Sequence, residues 1–413
     1  MTTFPCPHCG ALVAAPKATR AKATRAPKPS AALFAALEMA ARVAERRGYS
    51  PALACVQCTP QDDGLLRLRA ADAMDSFEAV VPLEAASWTG GTVVVDAVLL
   101  RDAAKAGVLS VAVGGTADAP LLALVGVGGV TRALPGLQPS DFPVWPEAPQ
   151  GAPWSADAAG LAAALGVVGL SVSLDNHRYG MNGVHWESAE GGCRLVATDS
   201  NRLHWCHAAG VGGVRLPAWP SRMLLNRSSA ERWARVAKAM DGSLPVTVVA
   251  GDRAAAVYGV VGGGRWTIVS RLINGEFPDY RKIIPTEWPR EAVFDREEMT
   301  AAMAEAAKAA TDRHHEVAVV LNSEGVVEMS VSSEGTGIGW SRSIPAEIRM
   351  PDATIRIGFD AKMVLDALKL CETTSPNAGL AHWCLGPDAY SATRIHTGDP
   401  EAACAIMMPL KLD

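Results

Sequence analysis

Cys6, His8 and Cys9, in the run Cys-Pro-His-Cys-Gly, place two thiols and an imidazole at the spacing of half a zinc site. A structural zinc takes four ligands, and these three lie too close in sequence to share one ion without strain. Cys55 and Cys58 are the other half by spacing. However, Ala-Leu-Ala-Cys-Val-Gln-Cys reads as a strand, where residues three apart point to opposite faces. The expectation is no metal, with Cys6 and Cys9 the remaining candidates, and no cofactor. His204, Cys206 and His207 are ligand types too, but along a strand His207 faces away from the other two. His314 and His315 sit in a helix-end turn as two exposed histidines. Catalytic signatures are missing: there is no G-x-x-x-x-G-K-[S/T], no G-x-S-x-G and no H-E-x-x-H. The glycine-rich run Val260–Trp266 lacks the lysine and reads as a hairpin. A non-enzyme is expected.

The basic residues offer a different chemistry. A helix predicted over Pro220–Met240 carries Arg222, Arg227, Arg232, Arg235 and Lys238 against Glu231. Arg46 and Arg47 close a helix predicted over Ala31–Arg47, and Lys362 and Lys369 lie on the last predicted helix. Such charges meet phosphates without reading sequence; the plain alternative is a solvated helix face. Net charge is −5 over 413 residues, which speaks against coating nucleic acid but not against a basic lining inside an acidic shell. The stretch Lys-Ala-Thr-Arg-Ala-Lys-Ala-Thr-Arg-Ala-Pro-Lys-Pro reads as a flexible basic arm.

About half the residues are apolar and a fifth are charged, the balance of a packed chain with two to four domains. No run of 18 uncharged apolar residues or signal-peptide core is visible, so a cytoplasmic protein is expected. Nine scattered cysteines fit reduced thiols better than a disulfide framework.

The elements that must position these residues repeat. An acid-Gly turn opens a strand at Asp63-Gly64, Glu190-Gly191 and Glu324-Gly325, with glycines 127 and 134 residues apart. Phe142 in Asp-Phe-Pro-Val-Trp and Phe277 in Glu-Phe-Pro-Asp-Tyr are 135 apart, and helices opening at Asp96 and Asp360 are 264 apart. A common period of about 130 residues gives three copies, each with two helices and hairpin strands. The predicted helices are Ala31–Arg47 and Asp96–Gly107, Ala156–Gly166 and Pro220–Met240, and Arg296–Arg313 and Asp360–Cys371. The class is α+β, with helices on one face of a sheet. The expected division is a leader with Cys6 and Cys9 over 1–29, then domains over 30–148, 149–287 and 288–413. The proline- and aromatic-rich connectors fix the angle between neighbouring copies or plug their joint.

Leu-Ile-Asn-Gly-Glu-Phe-Pro-Asp-Tyr-Arg, Arg-Leu-Val-Ala-Thr-Asp-Ser-Asn-Arg-Leu, Ile-Gly-Phe-Asp-Ala-Lys-Met-Val-Leu-Asp-Ala-Leu and the C-terminal Ile-Met-Met-Pro-Leu-Lys-Leu resemble, in order and spacing, the bacterial sliding clamp, the beta subunit of DNA polymerase III. The resemblance runs from Ser30 to Asp413 and is weakest in the first copy. It implies a head-to-tail dimeric ring of three repeated clamp domains per chain around duplex DNA, with helices lining the hole. Arg178 and Tyr179 would then join the basic helix residues in facing DNA. It also implies a groove for short apolar peptides between the second and third domains. Met181, Thr198, Arg202 and Leu203 would form one wall, Pro278, Lys282 and Ile283 the floor, and Ile406, Met408, Pro409 and Leu410 the other side. Methionines suit a groove that accepts several peptides. Implied partners are duplex DNA, the replicative polymerase, an ATP-dependent clamp loader, other proteins with clamp-binding motifs, and a second copy of the chain, with no membrane. Ser200-Asn201 in place of Gly-His, Lys282 and Lys411 at usual arginine positions, and Gly180 in place of a second tyrosine mark a divergent or accessory member.

The leading reading is a non-enzymatic processivity factor. A clamp-like decoy or scaffold that does not encircle DNA is the second. A zinc-bearing nucleic-acid-modifying enzyme built on the N-terminal cysteines is the third. Ring closure separates the first two, and metal content tests the third.

Overall fold

A computed structural model describes residues 3–5, 12–14, 31–45, 48, 50–83, 87–105, 107–116, 119–126, 131–175, 177–189, 192–209, 223–240, 245–261, 264–310, 316–332, 339–351 and 354–412. Cys6, His8, Cys9, Arg46, Arg47, Arg222, His314 and His315 lie outside the described residues.

After a short hairpin of β1 (Thr3–Pro5) and β2 (Leu12–Ala14), the element order runs three times through one pattern. The first pass is α1 (Ala31–Val43), β3 (Cys55–Pro60), β4 (Leu65–Ala71), β5 (Asp75–Pro82), β6 (Ser87–Thr89), β7 (Val93–Asp96), α2 (Ala97–Lys105), β8 (Val108–Thr116), β9 (Ala119–Gly126) and β10 (Thr131–Leu137). The second is β11 (Trp154–Ala156), α3 (Ala158–Val168), β12 (Gly183–Ala189), β13 (Gly192–Thr198), β14 (Arg202–Ala209), β15 (Leu224–Asn226), α4 (Arg227–Ala239), β16 (Val246–Ala250), β17 (Ala254–Val261) and β18 (Gly264–Arg271). The third is β19 (Arg290–Asp295), α5 (Arg296–Ala309), β20 (Glu316–Asn322), β21 (Val326–Ser332), β22 (Gly339–Arg349), β23 (Thr354–Asp360), α6 (Ala361–Thr374), β24 (Leu380–Leu385), β25 (Thr393–His396) and β26 (Ala403–Met407). The class is α+β, rich in strands and with few helices.

Local chemistry accounts for the repeats. The acid-Gly pairs at 63–64 and 324–325 close hairpins β3–β4 and β20–β21, with Gly64 at φ 75 and Gly325 at φ 81, backbone that glycine adopts without cost. The second helix of each pass is capped alike. Asp96 Oδ1 accepts from the N–H groups of Val98 and Leu99, Asn226 Oδ1 from Ser229, and Asp360 Oδ1 from Lys362 and Met363. The cap at Asn226 starts α4 at Arg227, so the helix expected from Pro220 is shorter and Arg222 precedes it; strand β15 takes the intervening residues. Likewise α1 ends at Val43, before Arg46 and Arg47.

The chain divides into two compact units. Unit 1 takes residues 1–158 and 235–271 and holds a sheet in the order β11-β16-β17-β18-β5-β4-β3-β7-β10-β9-β8-β6. Unit 2 takes residues 159–234 and 272–413 and holds β15-β12-β13-β14-β26-β25-β24-β19-β22-β21-β20-β23. Each sheet therefore joins strands of two passes, through β18 on β5 in unit 1 and β14 on β26 in unit 2.

The cores lie between helices and sheet. In unit 2, Met299, Ala302, Met303 and Ala306 form the buried stripe of α5 at helical spacing and meet Phe294, Phe359 and Trp383. Trp186 of β12 packs edge-on against Trp233 of α4 at 5.8 Å. Burying each large side chain of this kind contributes about 1.5–3 kcal/mol. The seven described cysteines are free and buried, and burial pushes the thiol of Cys55 up to about 11 and that of Cys206 up to about 12. Among the described residues no group of three His, Cys, Asp or Glu is placed to hold a metal ion, and no helix is long and apolar enough to cross a membrane.

Candidate functional site

The opposite, outer face of the unit 2 sheet is built by strand alternation. Thr198 pairs with Leu203 and Leu203 with Ile406, so these three form one row across β13, β14 and β26. Leu203 and Ile406 are buried, in a cluster with Val196, Trp205, Cys404 and Tyr280. The connector over residues 277–288 supplies the cover. Phe277 stacks on His185 at 4.9 Å, and Ile284 and Trp288 pack on the cluster. Tyr280 donates to Glu187 Oε1 at 2.6 Å, which also accepts from Arg281 at 2.8 Å. Burial, with Glu187 beside it, pushes the Tyr280 hydroxyl up to about 12, so it stays a donor. The aromatics Phe277, Tyr280 and Trp288 are thus the connector's anchors on the sheet.

Apolar side chains remain at the surface here. Ile283 is 59% exposed and Met408 42% exposed, with Pro278 and Lys282 also exposed and Lys282 paired to Asp279 at 3.1 Å. The Met408 N–H donates to Asn201 O at 2.8 Å, and the Leu410 N–H to Gly358 O at 2.8 Å. That second bond sets the tail against β23. A Cβ at Gly358 would meet Leu412 Cδ2 at 2.8 Å and Leu410 O at 2.9 Å, so the tail's path needs a glycine there.

Arg202 does not share a wall with Leu203. Adjacent strand residues point to opposite faces, and Arg202 turns to the helix side. There it lines a cavity of about 570 Å³ with Leu170, Leu174, Arg178, Ser200 and Asp366. Its donors are taken: Nε by Asp199 at 3.0 Å, one terminal nitrogen by Asp366 at 2.5 Å and the other by Leu170 O at 2.7 Å. Met181 belongs to this side as well, its sulfur accepting from Ser200 Oγ at 3.6 Å. Ser200 has φ 82 and is the one non-glycine among the described residues with positive φ; its hydroxyl bonds to Arg178 and Met181 offset the strain. Gly180 is required by contact, since a Cβ would lie 2.2 Å from Glu276 O. Neither Ser200 nor Gly180 could be assigned these roles from the sequence, because the partners that impose them are 19 to 96 residues away.

The basic residues are placed element by element. On α4, Arg235 and Lys238 are exposed, Arg232 is half-buried, and Arg227 is tied to Glu231 at 3.0 Å. Lys362 and Lys369 are both exposed and seven residues apart on α6, on one helix face with Asp366 between them. Tyr179 is 70% exposed beside Arg178, which pairs with Asp175 at 3.3 Å.

Unit 1 repeats this register without the apolar row. Arg69 pairs with Glu78 where Val196 pairs with Trp205, and Ser76 with Val269 where Leu203 pairs with Ile406. Even the strand-end bond recurs, the Arg271 N–H to Met74 O at 2.8 Å. Val269 stays apolar, whereas Arg69, Glu78 and Ser76 stand where unit 2 has Val196, Trp205 and Leu203.

Burial in unit 2 has a pH consequence. His204, on the helix side of β14, is fully buried, with Nδ1 3.2 Å from Val167 O. Burial lowers its pKa from 6.5 to about 4. The unfolded chain takes up this proton near pH 6.5 and the folded chain only near pH 4. Stability is therefore full above pH 6.5 and falls as pH drops to about 4, by about 3 kcal/mol for this group. His396, lowered to about 4 by burial and by Arg394, adds to the same window. Urea titrations from pH 7 to pH 4 should show the loss, and His204→Gln should remove one of the two steps; an unaltered pH slope in that variant would contradict the assignment.

Comparison with known proteins agrees with this geometry. Residues 157–279 match the family model for the DNA polymerase III beta subunit, central domain. The Beta sliding clamp of Pseudomonas aeruginosa is 24% identical over 382 residues, covering 92% of this chain and 98% of the relative. That of Escherichia coli K12 is 23% identical over 243 residues, covering 59% of this chain and 61% of the relative. Among solved structures, the DNA polymerase III subunit beta of P. aeruginosa superposes with TM-score 0.77 at 23% identity, over 92% of this chain and 98% of that one. The DNA polymerase sliding clamp of Bacillus subtilis gives TM-score 0.77 at 21% identity, over 92% and 97%. With the threefold element order and this likeness over 92% of its length, the chain has the fold of the bacterial sliding clamps, and its residues 157–279 match the central domain of that family.

Proposed function

We propose that this protein is a DNA sliding clamp: a non-enzymatic processivity factor that encircles duplex DNA and tethers the replicative polymerase. The observation that carries the reading is the threefold run of one element pattern, with strand pairing carried from pass to pass. Three domains, over 30–148, 149–287 and 288–413, make half of a six-domain ring, which a second copy closes head to tail. Arg178, Tyr179, Arg227, Arg232, Arg235, Lys238, Lys362 and Lys369, with Arg46, Arg47 and Arg222, face the duplex and meet phosphates without base readout. The outer face of unit 2 takes the partners' peptides. Leu203 and Ile406, beside Thr198, form the floor, and Pro278, Ile283, Met408, Pro409 and Leu410 the rim. Lys282 borders it, while Arg202 and Met181 stand on the helix side of the same strand end. An ATP-dependent loader and other motif-bearing proteins use the same groove, and the protein works in the cytoplasm.

The expected assembly has twice the 43.2 kDa chain mass and appears as a ring in particle images. A monomer at micromolar concentration would contradict it. Replacing Arg232, Arg235 and Lys238 together with Ala should lower retention on circular DNA while leaving the melting temperature within a few degrees; unchanged retention would return α4 to a plain solvated face.

A further inference from the structure

The outer face of the unit 1 sheet carries charge where the unit 2 sheet carries its apolar cluster. One row across β4, β5 and β18 reads Arg67, Val80, Arg265, and the next reads Arg69, Glu78, Thr267. Neighbouring strands are about 4.8 Å apart and same-face residues about 7 Å apart along a strand. The three arginine stems therefore rise from an area roughly 10 Å by 7 Å. Glu78 is the one acid in these rows, and it is held by Arg69 at 2.7 Å and Arg67 at 3.7 Å. Arg265 is exposed and has no acid partner among the described residues. The rows thus keep a surplus of positive charge on a protein whose net charge is −5.

Beside the arginines lies a stiff apolar platform. Trp145 sits under the Arg69 guanidinium, 4.9 Å from ring centre to carbon. Pro143 and Pro146 flank it in the chain, and Phe142 is buried against Cys55 and Val94, which fixes the connector on β3 and β7. Gln57 donates to Pro139 O at 3.4 Å and adds a second tie. Val144, between Phe142 and Trp145, is 94% exposed.

Arginine forks on a flat sheet grip carboxylates in pairs, and arginine and tryptophan are both enriched among the residues that anchor protein interfaces. Glu78, in the middle of the rows, interrupts the continuous cationic track that a phosphate backbone needs. We propose that this face docks an acidic peptide segment of a partner protein, with one apolar side chain against Val144 and Trp145 and flanking carboxylates on Arg67, Arg69 and Arg265. It is separate from the unit 2 groove and differs from it in chemistry.

The test is fluorescence anisotropy of the intact protein with a labelled Asp-Glu-Asp-Ile-Asp-Glu-Asp peptide, its Asn/Gln counterpart, and a twenty-nucleotide oligothymidine. The acidic peptide should bind with Kd on the order of micromolar at low salt, and the amide counterpart about tenfold or more weakly. Arg265→Glu should weaken the acidic peptide about tenfold or more at an unchanged melting temperature, while Met408→Ala leaves it unaffected. Absent binding, equal binding of the amide peptide, or no effect of Arg265→Glu would overturn the proposal. Oligothymidine binding more tightly than the peptide, and losing that affinity in Arg265→Glu, would assign the face to nucleic acid instead.

Discussion

Arg202→Ala should cost about 3 kcal/mol of stability. The side chain is 15% exposed and its carboxylate partners Asp199 and Asp366 are 20% and 29% exposed. Removing it leaves two partly desolvated carboxylates without a counter-charge and the Leu170 carbonyl without a donor. Breaking a buried pair from one side is the expensive case, at about 3–5 kcal/mol, and the residual exposure here sets the low end. A double-mutant cycle with Asp366→Ala should be strongly less than additive. Urea denaturation checks both values. A cost below about 1 kcal/mol would make this an ordinary surface pair.

The second large effect concerns the groove. A short Gln-x-x-Leu-Phe-type peptide is expected to bind unit 2 with Kd on the order of micromolar, about −8 kcal/mol. Met408→Ala or Leu410→Ala should weaken it by about 1–3 kcal/mol, the value of a buried aliphatic side chain. Deleting Met408 to Asp413 should abolish it, because the tail's bonds from Met408 to Asn201 and from Leu410 to Gly358 go with the side chains. Melting temperature and peptide affinity measured on the same Met408→Ala sample separate binding from packing. Lost thermal stability with intact peptide affinity would mean that Met408 only fills the joint.

The local chemistry of this fold was legible in the sequence. Asp96 and Asp360 announce helix starts because a short carboxylate satisfies free N–H groups whatever surrounds it. Gly64 and Gly325 announce hairpins because positive φ is a property of the turn itself. The period of about 130 residues followed from the same markers. What could not be read is set by distant contacts. Nothing local says that β18 pairs with β5 or β14 with β26, so the joining of passes into 12-stranded sheets emerged only from the structure. The basic run from Arg222 reads as part of α4, whereas Asn226 caps the helix and starts it at Arg227. Arg202 and Leu203 were assigned to one wall by motif, yet strand alternation separates them. Phe277 and Tyr280 were legible as more than linker, while their partners, His185 and Glu187, were not.

The central claim is topological, and retention on DNA tests it most directly. Protein loaded onto a nicked circular plasmid should stay bound through gel filtration in salt that removes ordinary electrostatic binders. Cutting that plasmid once should release it, because a ring slides off a free end. Equal retention on circular and cut plasmid, or none on either after loading, would contradict the account.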